Sequence, residues 1–183
     1  MKTKLLTTLI LCSPLFLFAQ GIGVGVKAGA NFANLSSDEV DTKGKTGYHV
    51  GAYANIHFSE KFGITPEVLW SAQGGDLDEA EINTNYIAIP IMLRWRIIDL
   101  ISLEAGPQFN VLTSAEADDV DVTDDFASPC YSAAFGAVCH LPLGFTAGLR
   151  YVAGLTDLSK NDEDKLKDQN FQIWVGWTIL GAR

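Results

Sequence analysis

Alternation of apolar and polar side chains is the feature that most restricts the fold of this chain. In the stretch ISLEAGPQFNV (101–111), every second residue starting at Ile101 is apolar, whereas the residues between them include Glu104, Gln108 and Asn110. Successive side chains of a β-strand point to opposite faces, so the pattern predicts a strand with one apolar and one polar face. Such a sheet needs a different environment on each side.

The same alternation recurs along the sequence, with no segment of helical period competing with it. It covers eight segments, at residues 22–32, 48–58, 62–70, 86–96, 101–111, 131–141, 145–153 and 171–179. Tight connections follow the second, fourth and sixth segments, at 59–61, 98–100 and 142–144. Long polar connections follow the first, third, fifth and seventh, at 36–46, 74–83, 115–126 and 158–170. An even strand number with short turns at one end and long loops at the other is typical of outer-membrane barrels.

Aromatic residues on the apolar faces indicate which face points outward. A soluble eight-stranded barrel of the lipocalin type would place its apolar face inside, and alternation alone does not exclude that fold. The aromatic residues gather in two bands, however. Near the long connections lie Phe32, Tyr48, Trp70, Phe109, Tyr131 and Phe171, and near the short turns lie Phe58, Phe62, Trp95, Phe145 and Trp177. A strand joining Tyr48 to Phe58 and tilted by ~40° is about 25 Å tall, which matches the apolar band of membrane barrels.

These patterns predict an all-β fold, an eight-stranded antiparallel up-and-down transmembrane β-barrel of the OmpA/OmpX type. The polar faces then line an interior that has room only for side chains. Six charged residues are expected there, namely Lys27, Glu67, Arg94, Arg96, Glu104 and Arg150. We expect the two acids to pair with bases on neighbouring strands, with Glu104–Arg94 the favoured contact, and the pairs to plug the barrel.

Smaller residues in the strands also carry expectations. Gly23, Gly25 and Gly29 alternate within one strand with no helix after them, so they predict close-packing lumen positions rather than a phosphate cradle. Each proline within a strand removes one ladder donor, and local bulges are the expected accommodation. These prolines are Pro66, Pro90 and Pro107.

The first twenty residues are predicted to be a cleaved signal peptide, which leaves residues 21–183 as the barrel domain. Lys2 and Lys4 precede the apolar run 5–18, which is shorter than a membrane-spanning helix, and the small residue Ala19 follows it. Leu11 is too bulky for a lipoprotein signal at Cys12. Removing 1–20 takes away two lysines and no acids, so 11 basic and 22 acidic residues remain and the formal charge is −11. This charge argues against a nucleic-acid partner.

Five stretches resemble the PorT-like outer-membrane β-barrel family of Bacteroidetes-type bacteria, and together they span nearly the whole mature chain. They are GVKAGANFANL (25–35), TGYHVGAYANIHFSEKFGITPEVLWSAQGG (46–75), NYIAIPIMLRW (85–95), LEAGPQFNVLTSA (103–115) and LRYVAGLTD (149–157). The combination of N-F-x-N-L, P-E-x-L, N-Y-x-x-I-P and A-G-P in this order is specific. The resemblance implies an outer-membrane location in a Gram-negative cell and makes the strand prolines family features. The founding member of the family is tied to protein secretion.

Candidate chemical groups are few. His49, His57 and His140 lie in no nucleophile or metal motif, so they are interpreted as interior or rim histidines. Cys130 and Cys139 lie nine residues apart in one predicted strand, about 30 Å at ~3.3 Å per residue, which is too far for a disulfide.

Acidic residues concentrate in the third and fourth long connections. The run EADDVDVTDD (116–125), with Asp162, Glu163 and Asp164, is interpreted as solvated loops rather than a calcium site.

The sequence therefore predicts a monomeric, non-enzymatic integral outer-membrane protein with a structural or surface-interaction role. The alternatives are a transport or protein-secretion accessory or a narrow channel and, third, a lipid-modifying outer-membrane enzyme. Both termini are expected in the periplasm. No cofactor or metal is expected. The expected partners are outer-membrane lipids and lipopolysaccharide, with any protein partner bound through the long connections.

Overall fold

The computed structural model describes residues 21–36, 43–77, 80–117, 120–121, 129–156 and 167–181. The predicted signal peptide and most of the acidic run 116–125 lie outside the described residues. No helix in the described ranges is long and apolar enough to cross a membrane.

Within these ranges the chain forms eight long antiparallel strands and one two-residue strand. They are β1 (Ile22–Ser36), β2 (Lys43–His57), β3 (Phe62–Leu77), β4 (Ala80–Ile98), β5 (Ile101–Ala117), β6 (Val120–Asp121), β7 (Cys130–His140), β8 (Phe145–Gly154) and β9 (Lys167–Gly181). Each long strand pairs with the next along the chain, and β9 pairs with β1 to close the barrel. Strand β6 pairs only with the end of β5. The predicted eight-stranded up-and-down barrel is confirmed.

The two faces of the strands meet opposite environments, and the apolar face is outside. On β5, Leu103 is 45 % exposed, whereas its neighbours Ser102 and Glu104 are buried at 0 % and 3 %. On β9, Val175 is 62 % exposed, whereas Trp174 is buried. A soluble barrel with an apolar interior is excluded, because the buried positions are mostly polar or charged. Closure of the sheet leaves no unpaired strand edge in the hydrocarbon of a membrane.

The prolines within the strands do not cause bulges, so that expectation was wrong. Pro66 pairs with Ile91 across β3–β4, and Pro90 pairs with Gln108 across β4–β5. The register is the same on both sides of each of these prolines and of Pro107, and the irregularities in the ladders lie elsewhere. A proline removes one donor only, and the intact pairs on either side hold the strands in line.

The three predicted short turns are confirmed, but the long loops were predicted too long. Strands β3 and β4 remain paired up to Leu77 and Ala80, so only residues 78–79 connect them and the predicted loop 74–83 was wrong. Strand ends also overlap the other three predicted loops, at residues 36–46, 115–126 and 158–170. The prediction ended each strand where apolar alternation ended. Backbone pairing needs no apolar side chain, so the ladders continue beyond that point.

Candidate functional site

Arg150 occupies the centre of the lumen and binds two carboxylates. It lies on the inward face of β8 and is completely buried. Its Nη1 and Nη2 donate to the two oxygens of Glu67, at 2.9 and 2.7 Å. Its Nε and Nη2 also donate to Oε1 of Glu104, at 2.8 and 2.7 Å. Glu67 lies on β3, which is separated from β8 by three strands in either direction, so the forked contact crosses the full width of the barrel.

Two further bases complete this cluster. Lys27 Nζ lies 2.9 Å from Glu67 Oε2 and 3.9 Å from the centroid of the Trp174 ring, a cation–π distance. Arg94 Nη2 lies 3.1 Å from Glu104 Oε2, which is a hydrogen-bonding distance. The expected Glu104–Arg94 contact is therefore present. We call Lys27, Glu67, Arg94, Glu104 and Arg150 the ion-pair cluster.

The ion-pair cluster is almost completely buried, so each charge depends on its partners. Glu67 accepts from Lys27 and Arg150, and Glu104 accepts from Arg94 and Arg150. Three bases and two acids give the cluster a formal charge of +1. Removing one partner from such a buried arrangement leaves a charge uncompensated, which is costly. The cluster places side chains from β1, β3, β4, β5 and β8 across the lumen.

Neutral side chains form hydrogen bonds in the lumen on both sides of the cluster. Toward the long connections, Asn31 Nδ2 donates to Ser71 Oγ at 2.9 Å, and Asn31 Oδ1 lies 2.8 Å from His49 Nδ1. Toward the short turns, the hydroxyls of Tyr53 and Thr178 lie 3.0 Å apart. Alternation predicted the inward position of several neutral residues, but these hydrogen bonds between them were not predicted.

Two large aromatic side chains, Tyr53 and Trp174, occupy the lumen where small residues face them. A Cβ atom at Gly25 would lie 2.5 Å from Tyr53 Cζ. One at Gly29 would lie 2.6 Å from His49 Cε1 and 2.7 Å from Trp174 Cβ. Gly25 and Gly29 thus allow close packing inside the barrel, and the ladder leaves no phosphate cradle at these positions.

The outer surface carries aromatic pairs at both ends. Near the short turns, Phe62 stacks on Trp95 and Phe145 stacks on Trp177, with ring centroids 6.2 and 5.9 Å apart. Near the long connections, the ring pairs are Phe32–Phe171, at 6.4 Å, and Phe109–Tyr131, at 5.7 Å. Tyr48, Phe58 and Trp70 are exposed on the same surface. A further pair, Phe135–Tyr151, with ring centroids 5.3 Å apart, was not predicted because those residues lie between the two predicted bands.

Arg96 is the predicted lumen charge that the structure does not bring into the cluster. It lies at the short-turn end of β4 and forms no ion pair with any residue that the structure describes.

The described side chains of the lumen give little evidence of a catalytic or metal-binding site. Ser102 Oγ lies 2.8 Å from His140 Nε2, but Ser102 is completely buried, so a substrate carbonyl does not reach it. Neither Cys130 nor Cys139 forms a disulfide with a described residue. In the described part of the chain, no group of three His, Cys, Asp or Glu side chains is placed to hold a metal ion.

Comparison with known proteins adds a family and a shared fold. A family model described as an outer membrane protein beta-barrel domain matches residues 18–160. The structure of Ail of Yersinia pestis, solved with the heparin analogue sucrose octasulfate, has 14% identity and a TM-score of 0.52 and covers 85% of this chain and 97% of that one. Neisserial surface protein A has 15% identity and a TM-score of 0.50, covering 87% and 99%. OprG of Pseudomonas aeruginosa has 12% identity and a TM-score of 0.50, covering 87% and 97%. These likenesses show a common fold. No curated protein shows significant similarity to the sequence.

Proposed function

The chain belongs to the outer membrane protein beta-barrel domain family, and on this premise we propose that it is a non-enzymatic outer-membrane protein with a structural or surface-interaction role. The ion-pair cluster is the observation that carries the proposal. Side chains that cross the lumen and bind each other oppose the passage of solutes. A barrel filled in this way acts through its outer surface and its connections.

The proposed arrangement in the membrane follows from the two unequal ends. The protein is a monomer with its short turns and both termini in the periplasm and its long connections outside the cell. The aromatic bands contact outer-membrane lipids and lipopolysaccharide. Loops displayed by a rigid scaffold commonly carry recognition, so any protein partner binds at the connections between β1–β2, β3–β4, β5–β7 and β8–β9. Ail, which shares this fold, was solved in complex with a heparin analogue, so a barrel of this kind can carry a ligand.

Conductance in planar bilayers tests whether the lumen is closed. The parent protein is expected to give no sustained ion current. The double variant Glu67→Ala with Arg150→Ala removes both ends of the contact that crosses the lumen, so it is expected to conduct. Glu60→Ala, at an exposed short turn, is the control and stays closed. Folding of each variant is checked by its heat-dependent gel shift. A steady current through the parent protein would contradict the proposal.

A narrow channel is the second candidate, because part of the lumen wall has unused hydrogen-bonding capacity. Among the described residues, buried atoms of Asn170, Gln172, Trp174 and Thr146 have no hydrogen-bond partner. The first three follow one another along the inward face of β9, and Thr146 pairs with the next inward position, Gly176. A file of water molecules along this wall would satisfy these atoms. The bilayer measurement on the parent protein decides between the two candidates.

Two more specific functions are suggested by the sequence, and each has its own test. A PorT-like role as a secretion accessory predicts that cross-linking in intact outer membranes captures components of a secretion system with this barrel. A lipid-modifying activity predicts turnover of lipid A or phospholipid by the purified protein. The buried position of Ser102 argues against the second.

A further inference from the structure

The short-turn end of the lumen contains basic side chains that the ion-pair cluster leaves available. A cleft there is lined by residues of β2, the β2–β3 turn, β3, β4 and β5, among them Lys61, Arg94, Arg96 and His57. Arg96 has no ion-pair partner among the described residues. Glu60, on the exposed turn, is the acidic residue among those lining the cleft. The cleft is thus positive on a chain that is negative as a whole.

Arg94 joins the ion-pair cluster to this cleft and has a donor to spare. Its Nη2 binds Glu104 and its Nη1 donates to Asn55 Oδ1 at 3.1 Å. Its Nε is buried and has no hydrogen-bond partner within the described ranges. Because this nitrogen is shielded from solvent, Arg94 adds positive charge beside the cleft rather than a contact with a ligand from outside.

Backbone hydrogen bonds fix the frame of the cleft. The amide of Arg96 donates to the carbonyl of Lys61 at 2.7 Å, which ties the β2–β3 turn to β4. Within the turn, the amide of Phe62 donates to Ser59 Oγ at 3.0 Å, and the amide of Ser59 donates to the carbonyl of Phe62 at 3.1 Å. The backbone segments that carry Lys61 and Arg96 are therefore held together before any ligand arrives, which lowers the entropy cost of binding.

The charges around the cleft call for a negative ligand. Arg94 and Arg96 both act electrostatically on His140, at the same end of the lumen. Glu104 is already bound by Arg94 and Arg150 and leaves Arg96 uncompensated. Like charges held together repel each other, and an anion between them would relieve that repulsion.

We propose that this cleft binds a phosphate group, held by Arg96 and Lys61 beside the charge of Arg94. Guanidinium groups present several donors in a plane that matches the oxygens of a phosphate, and a lysine adds a further charge. The stacked pair Phe62–Trp95 lies on the outer face of the same strands, so the cleft is at the level of one aromatic band. A phospholipid headgroup and a free phosphate both supply this chemistry at that level.

Calorimetric titration with inorganic phosphate, in a detergent that contains no phosphorus, tests the free anion. The parent protein is expected to bind it saturably. Arg96→Gln is expected to weaken binding by about tenfold or more, because it removes charge-assisted hydrogen bonds. Lys45→Gln removes an equal charge at the opposite end of β2, where residue 45 pairs with Ala33, and is expected to leave binding unchanged.

A second measurement identifies a lipid source. The protein is inserted into phospholipid nanodiscs, extracted into the same detergent, and assayed for retained phospholipid by phosphorus NMR. Retention by the parent and Lys45→Gln but not by Arg96→Gln assigns the site to a headgroup. Saturable phosphate binding without retained lipid assigns it to a free phosphate.

The proposal is overturned if neither measurement detects binding, or if Arg96→Gln behaves like Lys45→Gln in both. Each variant is first shown to fold by its gel shift. If Arg96→Gln does not fold, Lys61→Gln on the exposed turn replaces it, and the same outcomes apply.

Discussion

Arg150 illustrates how much one side chain can organise inside a narrow barrel. Its guanidinium binds carboxylates that come from β3 and β5, and those carboxylates bind Lys27 and Arg94 in turn. The residues of this cluster therefore depend on each other rather than on solvent. Substituting one member should affect the others through charge, whereas substituting a lipid-facing residue should affect only insertion.

Glu67→Gln should strongly destabilise the barrel. The amide keeps the shape of the side chain but leaves Lys27 and Arg150 short of a counter-charge, at a cost of about 3–5 kcal/mol. The measurement is urea unfolding in lipid vesicles. Lys27→Met in the same chain should recover part of the loss, because the two residues are coupled. The control Glu60→Gln, on an exposed turn, should stay within about 0.5 kcal/mol. A loss below about 1 kcal/mol for Glu67→Gln would contradict the role of the pair.

Leu103→Arg should impair insertion, because Leu103 faces outward between the two aromatic bands. An arginine at the centre of the lipid face of such barrels costs about 2–4 kcal/mol. Folding into vesicles, followed by gel shift and by unfolding, measures this cost. Leu103→Ile is the matched control and should fold as the parent does. Equal stability of the arginine and isoleucine variants would argue against lipid at this position.

The sequence predicted well which face of the barrel each residue lies on, but it predicted only some of the contacts between residues. Leu103 and Glu104 were assigned to opposite faces because alternation is a local geometric property. The Glu104–Arg94 contact could be predicted since β4 and β5 are joined by a short turn. The contact between Arg150 and Glu67 could not, because it joins strands on opposite sides of the barrel and depends on every register between them. Arg96, predicted in the same set as Arg94, lies one inward position further toward the mouth and outside the cluster.

The β7–β8 turn contains a leucine in a backbone conformation that leucine rarely adopts. Leu143 has a φ of 63° and Gly144 a φ of 84°, so both lie in the left-handed region. Glycine adopts this region freely, whereas a residue with a Cβ atom does so at a cost of about 1–2 kcal/mol. The Leu143 side chain is 74 % exposed, so little packing offsets this cost. Its carbonyl accepts from Trp177 Nε1 at 3.3 Å, which any residue at 143 can preserve.

Leu143→Asn should therefore stabilise the barrel, by about 0.5–1 kcal/mol, because asparagine tolerates the left-handed region far better than leucine. The midpoint of urea unfolding in vesicles measures the change. Leu141→Asn, at the start of the same turn with extended backbone, is the control and should give no gain. A lower midpoint for Leu143→Asn than for Leu141→Asn would show that the leucine side chain contributes through lipid contact instead.

Strand lengths were the weakest prediction at the level of elements. The prediction treated residues 74–83 as a loop because apolar alternation stops there, yet β3 and β4 continue as a paired hairpin. It also expected bulges at the prolines, although the closed sheet keeps its register through them. In both cases backbone hydrogen bonding between the strands determined where they end and how they pair. Side-chain polarity indicates that hydrogen bonding only indirectly.

The barrel as a whole is asymmetric, with turns of a few residues at one end and strands of unequal height at the other. Strand β5 pairs with β7 only as far as Asn110 and then continues to Ala117 beside β4. The connection from β5 to β7 must therefore return over seven residues, about 23 Å at ~3.3 Å per residue. The twelve residues from 118 to 129 extend at most about 40 Å, so only a deletion of more than about five of them would pull on β5.

Labelling of single cysteines should establish which end faces outward. Ser159→Cys lies in the connection between β8 and β9, and Glu60→Cys lies in the exposed β2–β3 turn. With the short turns in the periplasm, a membrane-impermeant maleimide should label Ser159→Cys on intact cells. It should label Glu60→Cys only after the outer membrane is permeabilised. The parent protein is the background control, since Cys130 is buried in the lumen and Cys139 is half-buried on the lipid face.

If Glu60→Cys alone is labelled on intact cells, the barrel has the opposite orientation. The proposed phosphate site would then lie at the outer leaflet. The aromatic bands at both ends are compatible with either direction, so the asymmetry of the connections is what favours the short turns inside.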